Sequence, residues 1–347
     1  MINLLATTAG GSGIYSVIEA VKSSKYKDKI KLVLVDANSI AGALYEVERS
    51  YIVPTVNKKE FFCVLKKIIK KENINYMLSL LDEELNFLST KIDEIKQLGV
   101  KTLIPNHTSL LNSWNKIETF KRCNEYMPKS FILDSSIDLR RIWNELDGKV
   151  ILKPAIGRGG RDIILPEDFE EFEFFTKKFI KKQTKYLIQK FIKGKEYNIT
   201  SLHNKNGEVV YAISRWKFED RIIKSGSKAS VIEENDSAIE FALSILKKMN
   251  LEYGFNNVEV IQNSDGIFLL EVNGGRIAAQ DMNIVKAGVN YIDFFIDIVD
   301  NKEIKKPKIK FGVCNIKTLR DIWVDFDDIT KKVLEYEENF NSCSSSR

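Results

Sequence analysis

Short apolar runs alternate with stretches of helical periodicity over residues 1–105, and this alternation restricts the fold more than any other feature of the chain. Ile2 to Ala6 reads as a strand, the glycines at 10, 11 and 13 as a turn, and Ile14 to Val21 as the start of a helix. Lys31 to Val35, ending at Asp36, then Met77 to Leu81 and Lys101 to Ile104 read as three more strands, with helical patterns near 58–71 and 83–97. A strand, a helix and a second strand repeat in this way when the helix carries the chain back to the edge where a parallel neighbour begins. A doubly wound α/β domain is therefore expected over 1–105. Residues 106–145 look mainly helical. From 150 onward, strand-like runs at Tyr186 to Phe191, Tyr197 to His203 and Val209 to Trp216 precede an amphipathic helix at Ser237 to Met249, which predicts an α+β second half.

Composition narrows the function classes. No segment approaches the ~20 apolar residues of a membrane span, and the start, MINLLATTAGGSG, has neither the basic region nor the apolar length of a secretory signal. A cytoplasmic protein is expected. Cys63, Cys123, Cys314 and Cys343 are far apart without paired spacing, so neither a disulfide framework nor a cysteine zinc site is expected. His107 and His203 are the only histidines, so a metal here should be a hard cation held by oxygen. The net charge of +5 sits largely on lysines at helical spacing, such as Lys66, Lys67, Lys70 and Lys71, with acidic residues among them. No basic block is interleaved with stacking aromatics, so no nucleic-acid partner is expected. The end, NSCSSSR, has the composition of a disordered tail.

Three stretches carry chemistry. In ILKPAIGRGGRDI (151–163) a short apolar strand ends at Lys153, and Gly157, Gly159 and Gly160 then free the backbone. Backbone N–H groups beside Lys153, Arg158 and Arg161 suit an anion such as phosphate, although the pattern is not that of a P-loop. A glycine-rich hairpin with solvated arginines is the alternative. The turn Gly11-Ser12-Gly13-Ile14-Tyr15-Ser16 approximates a dinucleotide fingerprint with Ser16 in place of the third glycine and Asp36 near the ribose position, so a nicotinamide-dependent oxidoreductase is a competing class.

NNVEVIQNSDGIFLLEVNGGR (256–276) is the most informative stretch. A three-residue hairpin loop of Ser264, Asp265 and Gly266 would pair Asn263 with Ile267 and set Glu259 opposite Glu271, with Asn273 on the same face. Like charges directly opposed on a sheet are destabilising, and Glu271 lies in the apolar run IFLLEV. A cation between the carboxylates removes both objections, and two carboxylates with an amide oxygen suit magnesium. The alternative is a solvated acidic pair on an open sheet face.

On these residues the chain resembles ATP-grasp enzymes of the carbamoyl-phosphate-synthetase-like branch, which includes pyrrolysine-biosynthesis-type ligases. NVEVIQNSDGIFLLEVNGG resembles the family's magnesium hairpin, with Glu259, Glu271 and Asn273 at the ligand positions. ILKPAIGRGG resembles the strand and glycine loop over the ATP phosphates, with Lys153 as the phosphate-contacting lysine, and WNKIETFKRC places the other nucleotide lysine at Lys116. YLIQKFIKGKEYN resembles the hinge, where backbone groups of Lys190, Phe191 and Ile192 face the adenine edge and Gln189 and Glu196 lie near the ribose. RWKFEDRIIKSGS resembles a substrate-side loop. The chain departs from the pattern at Asn115, where aspartate is common, and at Asn273-Gly274-Gly275-Arg276, which sets a catalytic arginine, Arg276, one place later.

The resemblance implies a Rossmann-like pre-ATP-grasp domain over 1–105, then an ATP-grasp fold of two α+β subdomains. These comprise a helical linker and lid subdomain over 106–190 and a metal-bearing subdomain over 191–305, with a C-terminal extension over 306–347. It implies ATP with Mg2+, or Mn2+ in its place, small-molecule carboxylate and amine substrates, no membrane partner, and is compatible with a homodimer. The implied reaction is an ADP-forming carbon–nitrogen ligation through an acyl phosphate, which closure of the glycine loop would shield from water. A phosphotransferase that forms no amide is the alternative within the same fold.

Overall fold

Each strand of the first sheet buries both faces. In the computed structural model, which describes residues 1–157, 159–217, 229–278, 281–318 and 321–344, β1 (Ile2–Ala6), β2 (Ile30–Asp36), β3 (Arg49–Ile52) and β4 (Tyr76–Leu78) form a parallel sheet in the order β3-β2-β1-β4. Leu4, Ala6 and Leu34 point to one apolar cluster and Leu5, Val33 and Val35 to the other, as the two-residue period of a strand requires. Helix α1 (Ile14–Lys22) lies on the first face. Helices α2 (Phe61–Lys71), α3 (Asp82–Ser89) and α4 (Ile92–Gln97) follow, and Phe61, Leu65, Leu88 and Ile95 are buried in the second cluster. The strand expected at 101–104 is reduced to one bridge between Lys101 and Tyr76, and the helix expected over 83–97 is two helices. Strand β3 is an element that the apolar pattern did not mark.

A helical connection, α5 (His107–Trp114) and α6 (Lys116–Cys123), leads to an antiparallel three-stranded sheet. Its strands are β5 (Ser130–Ile132), β6 (Val150–Pro154) and β7 (Tyr186–Lys190), in the order β5-β7-β6, with helices α7 (Leu139–Glu145) and α8 (Phe169–Lys181) between them in sequence. Ile142, Phe172 and Phe179 from those helices pack with Val150, Leu152 and Ile188.

The third sheet has six antiparallel strands. They are β8 (Lys195–His203), β9 (Val209–Lys217), β10 (Ala229–Ile232), β11 (Gly254–Asn263), β12 (Gly266–Gly274) and β13 (Cys314–Ile316), in the order β12-β11-β8-β9-β10-β13. Helix α9 (Asp236–Lys248) buries Ala238, Ala242, Ile245 and Leu246 against Val258, Val260, Leu269 and Val272. The opposite face is divided: Leu202, Ile213, Ile232 and Phe255 join the first apolar cluster, and polar side chains occupy the rest. Helices α10 (Met282–Lys286) and α11 (Tyr291–Val299) then return to the first domain and pack on α1, where Ser16 Oγ and Tyr291 Oη lie 2.8 Å apart.

Two expectations about the cysteines and the chain end are overturned. Cys63 in α2 and Cys343 form a disulfide with 6.0 Å between Cα atoms, across 280 residues of sequence. Residues 341–344 are helical, the last turn of α12 (Phe326–Ser344), and only 345–347 lie outside the described residues. The bridge fastens α12 to α2, beside an ion pair of Lys71 with Glu335 at 2.6 Å. Spacing along the chain carries no information about such a pairing. Thiol labelling without reductant should therefore modify the exposed Cys314 in the native protein, Cys123 only after denaturation, and neither Cys63 nor Cys343. Four labelled cysteines in unreduced, denatured protein would refute the bridge.

Candidate active site

The polar face of the six-stranded sheet and the edge of the three-stranded sheet contribute to one cluster of charged side chains. Glu259 and Glu271 are register partners, as expected, but the hairpin that pairs them differs. Asn263 pairs with Gly266 around a two-residue turn, and Leu270 is an extra residue between the pairs Val260–Leu269 and Glu259–Glu271. The bulge restores the carboxylate pairing that the tighter turn would otherwise have shifted by one.

A basic side chain stands at each of the three expected ligands. Lys116 Nζ is 3.0 Å from Glu271 Oε1, Lys217 Nζ is 2.8 Å from Glu259 Oε2, and Arg276 Nη2 donates to Asn273 Oδ1 at 2.7 Å. The opposed carboxylates are thus offset by two lysines from other elements, a compensation that sequence reasoning had assigned to a metal alone. The donor set still suits a small hard cation, because the two carboxylates and the amide project from adjacent strands on one face. Among the described residues no group of three or more histidine, cysteine or acidic side chains offers a different metal site.

Lys116 also joins the glycine loop to the metal-ligand candidates. Its backbone N–H donates to Ala155 O at 2.8 Å and its ammonium to Gly157 O at 3.2 Å. Asn115, in the place where aspartate is common, caps α6 by accepting from the N–H groups of Ile117 and Glu118. Gly159 and Gly160 adopt positive φ, whereas Arg158 lies outside the described residues. Lys153 is buried, and its ammonium donates to Gln189 Oε1 at 2.6 Å; Gln189 Nε2 donates in turn to Ser130 Oγ. At the hinge, the N–H groups of Lys190 and Phe191 are taken by Lys129 O and Lys149 O. Among the described residues the Ile192 N–H donates to no backbone carbonyl. The Lys190 side chain turns away to Asp147 at 2.6 Å. Gly194 is required here, since a Cβ would stand 2.4 Å from Gln262 O.

Arg276 reaches across the molecule. Gly275, at φ 82°, turns the chain so that the guanidinium meets Asn273 and, at 2.8 Å, Asp82 Oδ1 at the start of α3. Burial alone would lower the Arg276 guanidinium, but Asp82 together with Glu271 and Glu259 outweighs it and holds the group above its ordinary value. The one-place shift of this arginine thus leaves it within the cluster.

Sequence reasoning left Arg215, Lys217 and Thr200 of this face without roles. Glu196 Oε1 accepts from Lys217 at 2.7 Å, so one lysine serves both Glu196 and Glu259. Arg215, buried beside it on β9, pairs with Asp281 at 2.9 Å and donates to Asn198 Oδ1 at 2.6 Å. Thr200 donates to Asn257 Oδ1 at 2.8 Å. Arg215 and Lys217 begin the stretch RWKFEDRIIKSGS, whose remainder from 218 lies outside the described residues. Their alternation with apolar neighbours was the available signal.

The glycine turn of the first domain is occupied by the protein itself. Asp36 Oδ2 accepts from Gly10 N at 2.6 Å and Oδ1 from Asn38 N at 2.8 Å. The carboxylate that the competing nicotinamide reading placed near a ribose here holds the turn.

A small lid sheet beside a six-stranded sheet, with buried lysines and paired carboxylates between them, defines an ATP-grasp domain. An ATP-grasp domain model matches residues 114–280, and a PylC-like N-terminal domain model matches residues 5–103. The chain thus carries an ATP-grasp domain preceded by a PylC-like N-terminal domain. It is 24% identical over 256 residues to tyramine–L-glutamate ligase of Methanocaldococcus jannaschii, covering 73% of this chain and 72% of that one. It is 22% identical over 289 residues to the carbamoyl phosphate synthase large chain of Halomonas eurihalina, covering 78% of this chain and 26% of the other. The L-amino acid ligase of Bacillus licheniformis has a similar fold, with a TM-score of 0.64 at 17% identity, over 88% of this chain and 75% of that one. Among the described residues no helix is long and apolar enough to cross a membrane.

Proposed function

We propose that the protein uses ATP to join a small carboxylic acid, an amino acid in the first instance, to an amine, with an acyl phosphate as intermediate. The observation that carries this reading is Lys116, whose ammonium lies between Gly157 O of the glycine loop and Glu271 of the carboxylate pair. One lysine thereby ties the loop suited to phosphates to the carboxylates suited to their cation. Glu259, Glu271 and Asn273 would hold Mg2+, which when bound neutralises charge on the phosphates. Lys153, at the root of the loop, and Lys116 add positive charge to the same place, and Arg276 is held beside Asn273 to meet charge on the transferred phosphoryl group.

In the proposed reaction a carboxylate oxygen of the acid attacks the γ-phosphorus and the bond to ADP breaks. The amine nitrogen then attacks the acyl carbon, inorganic phosphate leaves with the bonding electrons, and the amine gives up a proton. Phosphoryl transfer of this kind depends on position and charge more than on covalent help from the protein. The similarity to tyramine–L-glutamate ligase makes glutamate and aromatic amines the first substrates to try. Incubation with ATP, magnesium and panels of amino acids and amines should yield ADP, phosphate and an amide, read by nucleotide chromatography and mass spectrometry. AMP as the main nucleotide product would reject the acyl-phosphate route, and a stable phosphorylated acid would make the protein a phosphotransferase.

A further inference from the structure

We propose that Lys317, with Arg215, forms a subsite for a carboxylate of the acid substrate other than the one that is phosphorylated; this rests on the ligase reading above. Strand β13 joins the six-stranded sheet by pairing Asn315 with Ser230, and Ser230 in turn pairs with Lys217 on β9. Since side chains alternate along a strand, Asn315 and, two residues on, Lys317 belong to the face that carries Lys217. The extension that follows α11 therefore adds a cation to the polar face.

Three features mark this corner as a place for an anion. Burial, then Arg215 and Lys217 beside it, pulls the half-buried Lys317 ammonium down to about 8, with Asp281 opposing. Among the described residues no hydrogen bond or ion pair engages that ammonium. Arg215 is 2% exposed, yet its Nε–H is buried with no hydrogen-bond partner among the described residues, an arrangement that is costly unless a ligand supplies the acceptor. The nearby carboxylates are committed elsewhere: Asp281 accepts from Arg215 and the Ala278 amide, and Glu196 and Glu259 share Lys217.

The position selects which anion. Glu259 pairs with Asn198 and Asn198 with Arg215, so Arg215 stands two strands from Glu259, about 10 Å at ordinary strand spacing, and one strand further from Glu271. A carboxylate being phosphorylated must lie at the metal-ligand candidates, so the anion at Arg215 and Lys317 is a second group. The substrate class is a small dicarboxylic acid, with one carboxylate activated and the other held by these cations.

Calorimetric titration of the full chain with L-glutamate, in the presence of ADP and magnesium, tests the subsite. Wild-type protein is expected to bind glutamate saturably, Lys317→Met to bind it at least about 10-fold more weakly, and Lys317→Arg to recover most of the affinity, because guanidinium also pairs with carboxylate. Affinity for ADP should be the same in all three. Absence of glutamate binding to the wild type, or equal affinity in Lys317→Met, overturns the proposal. A fall in ADP affinity in Lys317→Met in place of glutamate affinity also overturns it, by assigning the lysine to the nucleotide. Failure of the ligase reading is separately visible, as the absence of any amide product from the wild type.

Discussion

Glu271→Gln is expected to fold and bind ATP but to turn over at least about 100-fold more slowly at saturating magnesium, as loss of a group that organises transition-state charge generally causes. Glutamine keeps the volume of the side chain and one oxygen. It removes the charge that would bind the metal and that now pairs with Lys116 at 3.0 Å. Because Glu271 is partly exposed and Lys116 keeps Gly157 O as an acceptor, the loss of stability should be on the order of 1 kcal/mol. Thermal unfolding and kcat, measured on the same preparation, separate the two effects. Near-native turnover would reject Glu271 as a metal ligand and leave it as the structural partner of Lys116.

Lys153→Ala should lower kcat/KM for ATP by about 100-fold or more, while Lys205→Ala changes it less than about twofold. The two lysines differ in place. Lys153 ends β6 at the root of the glycine loop, buried and bonded to Gln189, whereas Lys205 lies in the turn after β8 and donates to Asn301 Oδ1 at 2.7 Å. A purely structural role for Lys153 would be met by Lys153→Met, which fills the same space and frees Gln189. If the methionine variant regains ATP use, the charge is not required. Equal small effects at both lysines would remove the phosphate-loop assignment.

What could be read from the chain alone was local. The two-residue period of Leu4, Leu5 and Ala6, the apolar stripe of α9 and the glycine turn at 10–13 are decided by neighbours within a few residues, so their elements were legible. Glu259 and Glu271 belong to one hairpin, and their pairing was legible too, although the expected three-residue loop is a two-residue turn compensated by a bulge at Leu270. Turn type and bulge both depend on twist and on packing against α9, which no count of residues contains.

Only the tertiary structure decided which distant groups meet. Lys116 and Glu271 are 155 residues apart, Arg276 and Asp82 194, and Cys63 and Cys343 280. Each contact follows from the packing of whole elements: α6 against β12, α3 and β12 each against α5, and α12 against α2. The same packing turned Lys217 into the shared partner of Glu196 and Glu259 and brought Lys317 to the face of Arg215. Residue type along the chain determined which chemistry was available, and sheet order determined which residues could perform it together, because side chains on neighbouring strands converge whatever their separation in sequence.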